Sequence, residues 1–324
     1  MKWARVGASV ASLLCAVLIG GEAAAAAQSS ACDRACLNTM VDRFVAAVIA
    51  KDPARVPLWV GFRETVNSVV TPAGEGVWNT VTSFDAHDRR YFDPDSGNAA
   101  VLGVLNEGSE RAIVSLRLRV QEGAISEAEW HVARHDDRSP QGAIGRLTMF
   151  DPDNMMVSLP PARVVPPAER VSRDALIAIA NSYFDGASSG NSRAVIAHPG
   201  CLRTENGLKV TGVPVSPLDE PGEGVNGLTD CRTGYRGWDI ALVQARRFPV
   251  VDVEQQVALG SGVFIREAGT PKRRLHFMEY FYVDHAKLRA IEAAMFYADP
   301  SLPVPNWPPY DGNFPLAPPA GLPR

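Results

Sequence analysis

From Val114 to Arg134, and again from Leu275 to Tyr297, side chains alternate in the period-two pattern of β-hairpins, the second turning at Asp284–Lys287. Laid over each other without a gap, the two stretches match Leu116 with Glu279, Leu118 with Phe281, Val120 with Val283 and Glu129 with Glu292. One hairpin used twice predicts one domain used twice. What precedes each hairpin also repeats. Leu37, Met40, Val41, Phe44, Val45 and Val48 stand at helical spacing within Asp33–Lys51, with Asp33 as cap. Ser172 caps a second such helix, which carries Leu176, Ile179, Ala180, Tyr183, Phe184 and Ala187 on one face and stops at Gly190-Asn191. Strands are predicted at Glu64–Val70 and Cys201–Val210, then helical segments carrying Trp78 and Trp238. Tyr91-Phe92-Asp93 is mirrored by Phe248–Asp252, which makes Asp93 and Asp252 matched caps. Strands at Ala99–Leu105 and Val257–Ile265 lead into the hairpins.

The resulting layout is a targeting segment over 1–27, a first domain over 28–140, an irregular linker over 141–170, a second domain over 171–298 and a proline-rich tail over 299–324. Lys2 and Arg5, the apolar run Val6–Ile19 and the alanines at 23–27 read as a cleavable secretory signal, too short to span a bilayer. The protein is therefore expected to be secreted or periplasmic, with no membrane anchor. In an oxidising compartment the four remaining cysteines favour disulfides over metal. Their order suggests Cys32–Cys36 and Cys201–Cys231, the latter closing a loop of about 30 residues worth roughly 3 kcal/mol.

Across 324 residues the net charge is −4, and no basic stripe exists to neutralise phosphates, so nucleic acid is not an expected partner. Arg246–Arg247 and Lys272–Arg274 read as solvated strand ends. No phosphate loop, Gly-x-Ser-x-Gly elbow or His-Glu-x-x-His motif occurs, and neither cofactor nor metal is expected.

Helix, short helix, strand, helix, then long antiparallel strands is an α+β order. It resembles the nuclear-transport-factor-2-like (SnoaL-like) cone fold. Cys32-x-x-x-Cys36-Leu37, Gly74-Glu75-Gly76-Val77-Trp78, Arg203-Thr204-Glu205-Asn206-Gly207, Arg246–Asp252 and Ile291-Glu292-Ala293 resemble a family of secreted fungal and bacterial proteins of unknown function. The resemblance implies two tandem cone-shaped domains, each a curved sheet around its N-terminal helices, forming an internal pseudo-dimer.

Glu279 shares a strand face with Phe277, Phe281 and Val283, so its carboxyl is expected to be buried and held toward the neutral form. The helix of Tyr183 resembles that of the ketosteroid isomerases, also cone-fold enzymes. By that resemblance Tyr183 and a neutral Glu279 would face a developing oxyanion, while Glu205 would serve as base. Phe277, Phe281 and Trp238 would line the apolar pocket. Phe44, Val66 and Leu116 hold the corresponding places in the first domain, which would then be structural. Plainer readings stand beside this one. Tyr183 is an ordinary core residue, Glu279 accepts a bond from Tyr183 or an arginine, and Glu205-Asn206-Gly207 is a turn whose glutamate pairs with Arg203 at the surface. His131 with Glu127 and Glu129 reads as the solvated side of a sheet. The functional expectation is a small apolar ligand and cofactor-free isomerase, lyase or cyclase chemistry, with a non-catalytic binding or interaction scaffold as the alternative.

Overall fold

Asp33 starts the first described helix by accepting a bond from Cys36 N at 2.8 Å, and helix α1 (Arg34–Ile49) buries Leu37, Met40, Val41, Phe44, Ala47 and Val48. The computed structural model describes residue 1 and residues 32–85, 89–137, 150–158, 164–211, 230–232, 240–266, 274–298 and 307. Ala31–Arg324 is one compact unit. After α1 come a 3-10 turn at Pro53–Arg55 and strands β1 (Leu58–Val66) and β2 (Val69–Val70). Helix α2 (Val77–Thr80) follows, then β3 (Ser83–Asp85), β4 (Arg90–Asp93), β5 (Asn98–Glu107), β6 (Glu110–Gln121) and β7 (Ala124–Arg134). They form a sheet in the order β2-β1-β7-β6-β5-β3, with β4 also on β5 and β1 parallel to β7.

The second half repeats the scheme. Helix α3 (Pro152–Val157) precedes α4 (Arg173–Ser189), which Ser172 caps and Gly190 closes in the left-handed region. Strands β8 (Ala197–Glu205), β9 (Leu208–Lys209), β10 (Ile240–Asp252), β11 (Val257–Arg266), β12 (Arg274–Asp284) and β13 (Lys287–Ala298) order as β10-β11-β12-β13-β8-β9, with β8 parallel to β13. The architecture is mixed α+β, two mixed sheets with few helices.

Matched asparagines show how closely the halves agree. The Asn67 amide donates to Val132 O at 2.9 Å and accepts from Val132 N at 2.8 Å. Asn206 does the same with Met295 O and N, both at 2.9 Å. Both asparagines have positive φ, 48° and 43°, which this residue type tolerates. These clamps break the strands expected to run unbroken over Glu64–Val70 and Cys201–Val210 into β1/β2 and β8/β9. The strands also begin earlier, at Leu58 and Ala197. The two disulfides are Cys32–Cys36 and Cys201–Cys231. Trp238, residues 2–27 of the expected signal and most of the tail lie outside the described residues.

Between the sheets runs a seam with its own apolar cluster, including Tyr91, Leu102, Ile113, Val250, Leu259, Met278, Tyr280 and Tyr282. Its polar contacts are reciprocal. Asp93 accepts from Val251 N and Arg173, and Asp252 accepts from Phe92 N and Arg34. Arg89 binds Glu292 at 3.0 Å, and Arg247 binds Glu129. Arg89 and Arg247 stand beside matched positions of β5 and β11, Leu102 and Ser261. Exchange of such contacts under swapping of the halves is what a two-fold interface produces.

Several expectations change here. Arg247 and Arg274 are buried, not solvated strand ends. Glu129 and His131 are buried too, because the face they share meets the other half rather than water. Asp93 and Asp252 cap their own turns, at Ser96 N and Gln255 N, and also join the halves. The expected linker contains α3, started by Pro152 behind an Asp151 cap. Asp151 N donates to Asn206 O at 2.8 Å, placing α3 on the second half's β8–β9 turn. Gly207 is required there. Its φ is +77°, and a Cβ would sit 2.0 Å from Asp151 O.

Candidate functional site

Strand alternation turns Cys201, Arg203 and Glu205 to the side facing α4, while Leu202 points out and is 48% exposed. On β12 the same side carries Phe277, Glu279 and Phe281. Register then aligns Glu205, Ala293, Glu279 and Gly260 in one row across β8, β13, β12 and β11. With strands about 4.8 Å apart, the two glutamates stand two strands, roughly 10 Å, from each other at the backbone. A methyl group separates them. Arg203, one row along, places Nε 2.9 Å from Glu205 Oε1 and donates from Nη1 to the Tyr183 hydroxyl at 3.4 Å.

Arg203 is 2% exposed, so its pair with Glu205 lies inside the fold and not at the surface. Glu279 is also 2% exposed, and its Oε2 has no hydrogen-bond partner among the described residues. Burial pushes the Glu279 carboxyl well above the usual range. The nearby Glu205 charge pushes the same way, and Arg203 opposes. Burial also raises Glu205, against the charge and bond of Arg203. Tyr183 lies against Phe281, with ring centroids 5.6 Å apart, and Phe184 against Phe277 at 5.1 Å. Tyr183, Glu205 and Glu279 thus gather around an arginine that residue-type reasoning had left at the surface.

The first half fills the same row differently. Val66, Trp130, Leu116 and Val101 replace Glu205, Ala293, Glu279 and Gly260. Where Arg203 stands, the first half has Glu64, buried and bound by the indole N–H groups of Trp78 (2.9 Å) and Trp130 (2.6 Å). Burial lifts its carboxyl to about 7 against those two bonds. Phe44 packs edge-on to Trp78 at 5.4 Å. An indole therefore plugs the first half at the position where the second has only Ala293.

A domain of unknown function, DUF8021, spans residues 169–295. The DUF8021 span takes in α4 and all but the last residues of β13, so Tyr183, Arg203, Glu205, Glu279 and Ala293 all lie within it. The chain finds no match among curated proteins. Among the described residues, no cluster of three His, Cys, Asp or Glu side chains could hold a metal, and no helix is long and apolar enough to cross a membrane.

A second polar group lies in the seam, part of it from the first half and part from within the DUF8021 span. Glu129 is shared by Arg117 (3.0 Å) and Arg247, with His131 Nε2 at 3.7 Å. His276 Nδ1 meets Ser68 Oγ at 2.9 Å, and both imidazoles lie against Phe296, at 4.9 Å for His276 and 5.3 Å for His131. Burial lowers both histidines; Arg247 adds to this for His131, His131 and Arg274 add for His276, and Glu129 opposes in both. Groups that resist protonation when folded make folding less favourable as pH falls below their ordinary value of 6.5. Each contributes up to about 1.4 kcal/mol per pH unit until its folded value is reached. The buried glutamates Glu64, Glu205 and Glu279 are raised and act oppositely, favouring folding as pH falls toward their unfolded values. Comparison with a His131→Gln/His276→Gln variant isolates the histidines. Denaturant midpoints between pH 7 and 5 should fall less in the variant than in the wild type; parallel curves would reject the assignment.

Proposed function

We propose that the second half binds a small, largely apolar molecule over Ala293 and moves a proton on it without a cofactor, in isomerase, lyase or cyclase fashion. One contrast carries the reading: the first half has Trp130 where the second has Ala293, and the row of Ala293 carries a carboxyl on each side. Glu279, held neutral by burial, is the hydrogen-bond donor to oxygen that gains charge in the transition state. Glu205, whose ionised form Arg203 favours against burial, is the base that takes the proton. Arg203 orients both Glu205 and the Tyr183 hydroxyl. Phe277 and Phe281 supply apolar wall, and Trp238 is expected to add to it.

Each half is read as a cone of sheet around its own helix, and the two as an internal pseudo-dimer; the matched strand orders and reciprocal seam support this. The chain is read as exported after loss of residues 1–27, in keeping with its two disulfides.

A non-catalytic scaffold is the competing reading. One observation favours it: the space beside Gly260 is filled by rings, since a Cβ there would lie 2.7 Å from Phe281 and 2.9 Å from Phe184. Native mass spectrometry of the exported protein separates the two. A small molecule should accompany the wild type and be lost from Arg203→Glu/Ala293→Trp, which rebuilds the first half's plug. A wild type carrying nothing, or a ligand retained by the plugged variant, would favour the scaffold.

A further inference from the structure

Nine residues beyond the end of β13 at Ala298, Trp307 lies on the first half and is 3% exposed. Its indole N–H donates to Thr65 Oγ1 at 2.8 Å, and Thr65 is itself fully buried. The guanidinium carbon of Arg63 is 4.4 Å from the ring centroid and that of Arg117 is 4.7 Å. Two cations on one indole, with its N–H satisfied, is a more specific arrangement than burial of an apolar side chain requires.

The notch belongs to the first half alone. Thr65, Glu129 and Arg117 form one cross-strand row on the seam face of β1, β7 and β6. Its counterpart on β8, β13 and β12 is Thr204, Glu292 and Tyr280. The threonine is kept, but Arg117 becomes Tyr280, and Arg63 becomes Leu202. Only the first half therefore presents a pair of guanidinium faces. Arg117 is also fixed in advance, because its nitrogens are engaged by Glu129 at 3.0 Å, Glu127 at 2.7 Å and Asn98 at 2.9 Å. A guanidinium held at its edges still has a planar face to offer an aromatic ring.

We infer that the notch of Arg63, Thr65 and Arg117 is a docking site for a tryptophan-bearing peptide segment, and that the chain's own C-terminal segment is its resident occupant. The segment that follows β7 makes the converse crossing, from the first half to the second, through Asp151 and Asn206. Each half thus meets a residue, Trp307 or Asp151, from beyond the other's last strand. Occupancy by Trp307 covers Arg117 and, through it, the Glu129–Arg247 pair that joins the halves. The site is independent of the ligand site proposed for the second half, which faces α4 on the opposite side of its sheet.

Hydrogen exchange on the full chain tests the inference, using Trp307→Ala and a synthetic peptide of residues 299–324 added in trans. Protection in β1, β6 and β7 should fall on the order of tenfold in Trp307→Ala, while α4 and β8 keep theirs. The peptide should restore it, and the same peptide carrying Trp307→Ala should not. Unchanged exchange, an equal loss in every element, or a loss that the peptide fails to reverse would overturn the proposal. Should Trp307→Ala not fold, Trp307→Phe, which keeps a ring but lacks the N–H, is read by the same outcomes.

Discussion

Replacing Glu129 with alanine should cost the protein about 3–5 kcal/mol, the loss typical when one partner is removed from a buried ion pair. Glu129 is fully enclosed and carries the charge for both Arg117 and Arg247, one from each half. The same two arginines and His131 favour its ionised form, and their charges and bonds outweigh burial and hold the carboxyl far below the usual range. Without it, Arg117 keeps Glu127 at 2.7 Å, while Arg247 is left with the Ser261 hydroxyl and no carboxylate among the described residues. Arg111 and Asp153 supply the control. Asp153 is 88% exposed at its side chain, and breaking that pair should cost no more than about 1 kcal/mol. Chemical denaturation of Glu129→Ala and Asp153→Ala tests the contrast. Equal losses would mean that the seam ion pair does not join the halves as described.

Arg203→Met should be comparably damaging, at about 3–5 kcal/mol, because it strips the cation from a site holding Glu205 and Glu279. The loss should depend on pH in a defined direction. Both carboxyls are already raised, and removing Arg203 raises them further, so the variant favours their protonated forms. Its deficit should therefore shrink as pH falls toward the unfolded carboxyl values and widen as pH rises through the folded ones. Denaturant titrations at pH 5 and pH 8 read this directly. A deficit independent of pH would assign Arg203 a packing role only.

How much was readable beforehand follows from what each pattern encodes. The two hairpins and the two capped helices depend on short-range periodicity and capping, and they are found where expected. The overlay of Glu129 on Glu292 was visible as a repeat, but its meaning was not. Alternation identifies which strand face is not a half's own core; it does not say whether that face meets water or a second sheet. His131 and Glu129 were misjudged for that reason, as were Arg247 and Arg274. The pairing of Arg203 with Glu205 was read, but its burial was not, because a charged residue near a turn is ordinarily solvated. The usable signal was its spacing from Cys201 and Glu205, two residues either way on one face, with Leu202 on the other. Glu64 carried the same signal at the matched place, and its Trp78 and Trp130 partners are distant in sequence. The break at Asn206-Gly207 falls on the turn pair read there, whereas the break at Asn67 depends on its contacts with β7, which no local pattern contains.

The claim that the second half holds a proton-bearing carboxyl in an interior site is tested most directly by carbon-13 NMR titration of the Glu279 side-chain carboxyl in the folded protein. The account requires that carbon to report a protonated acid at pH 7 and to titrate only well above the ordinary glutamate range. A Glu279 that is ionised at pH 5 would contradict it.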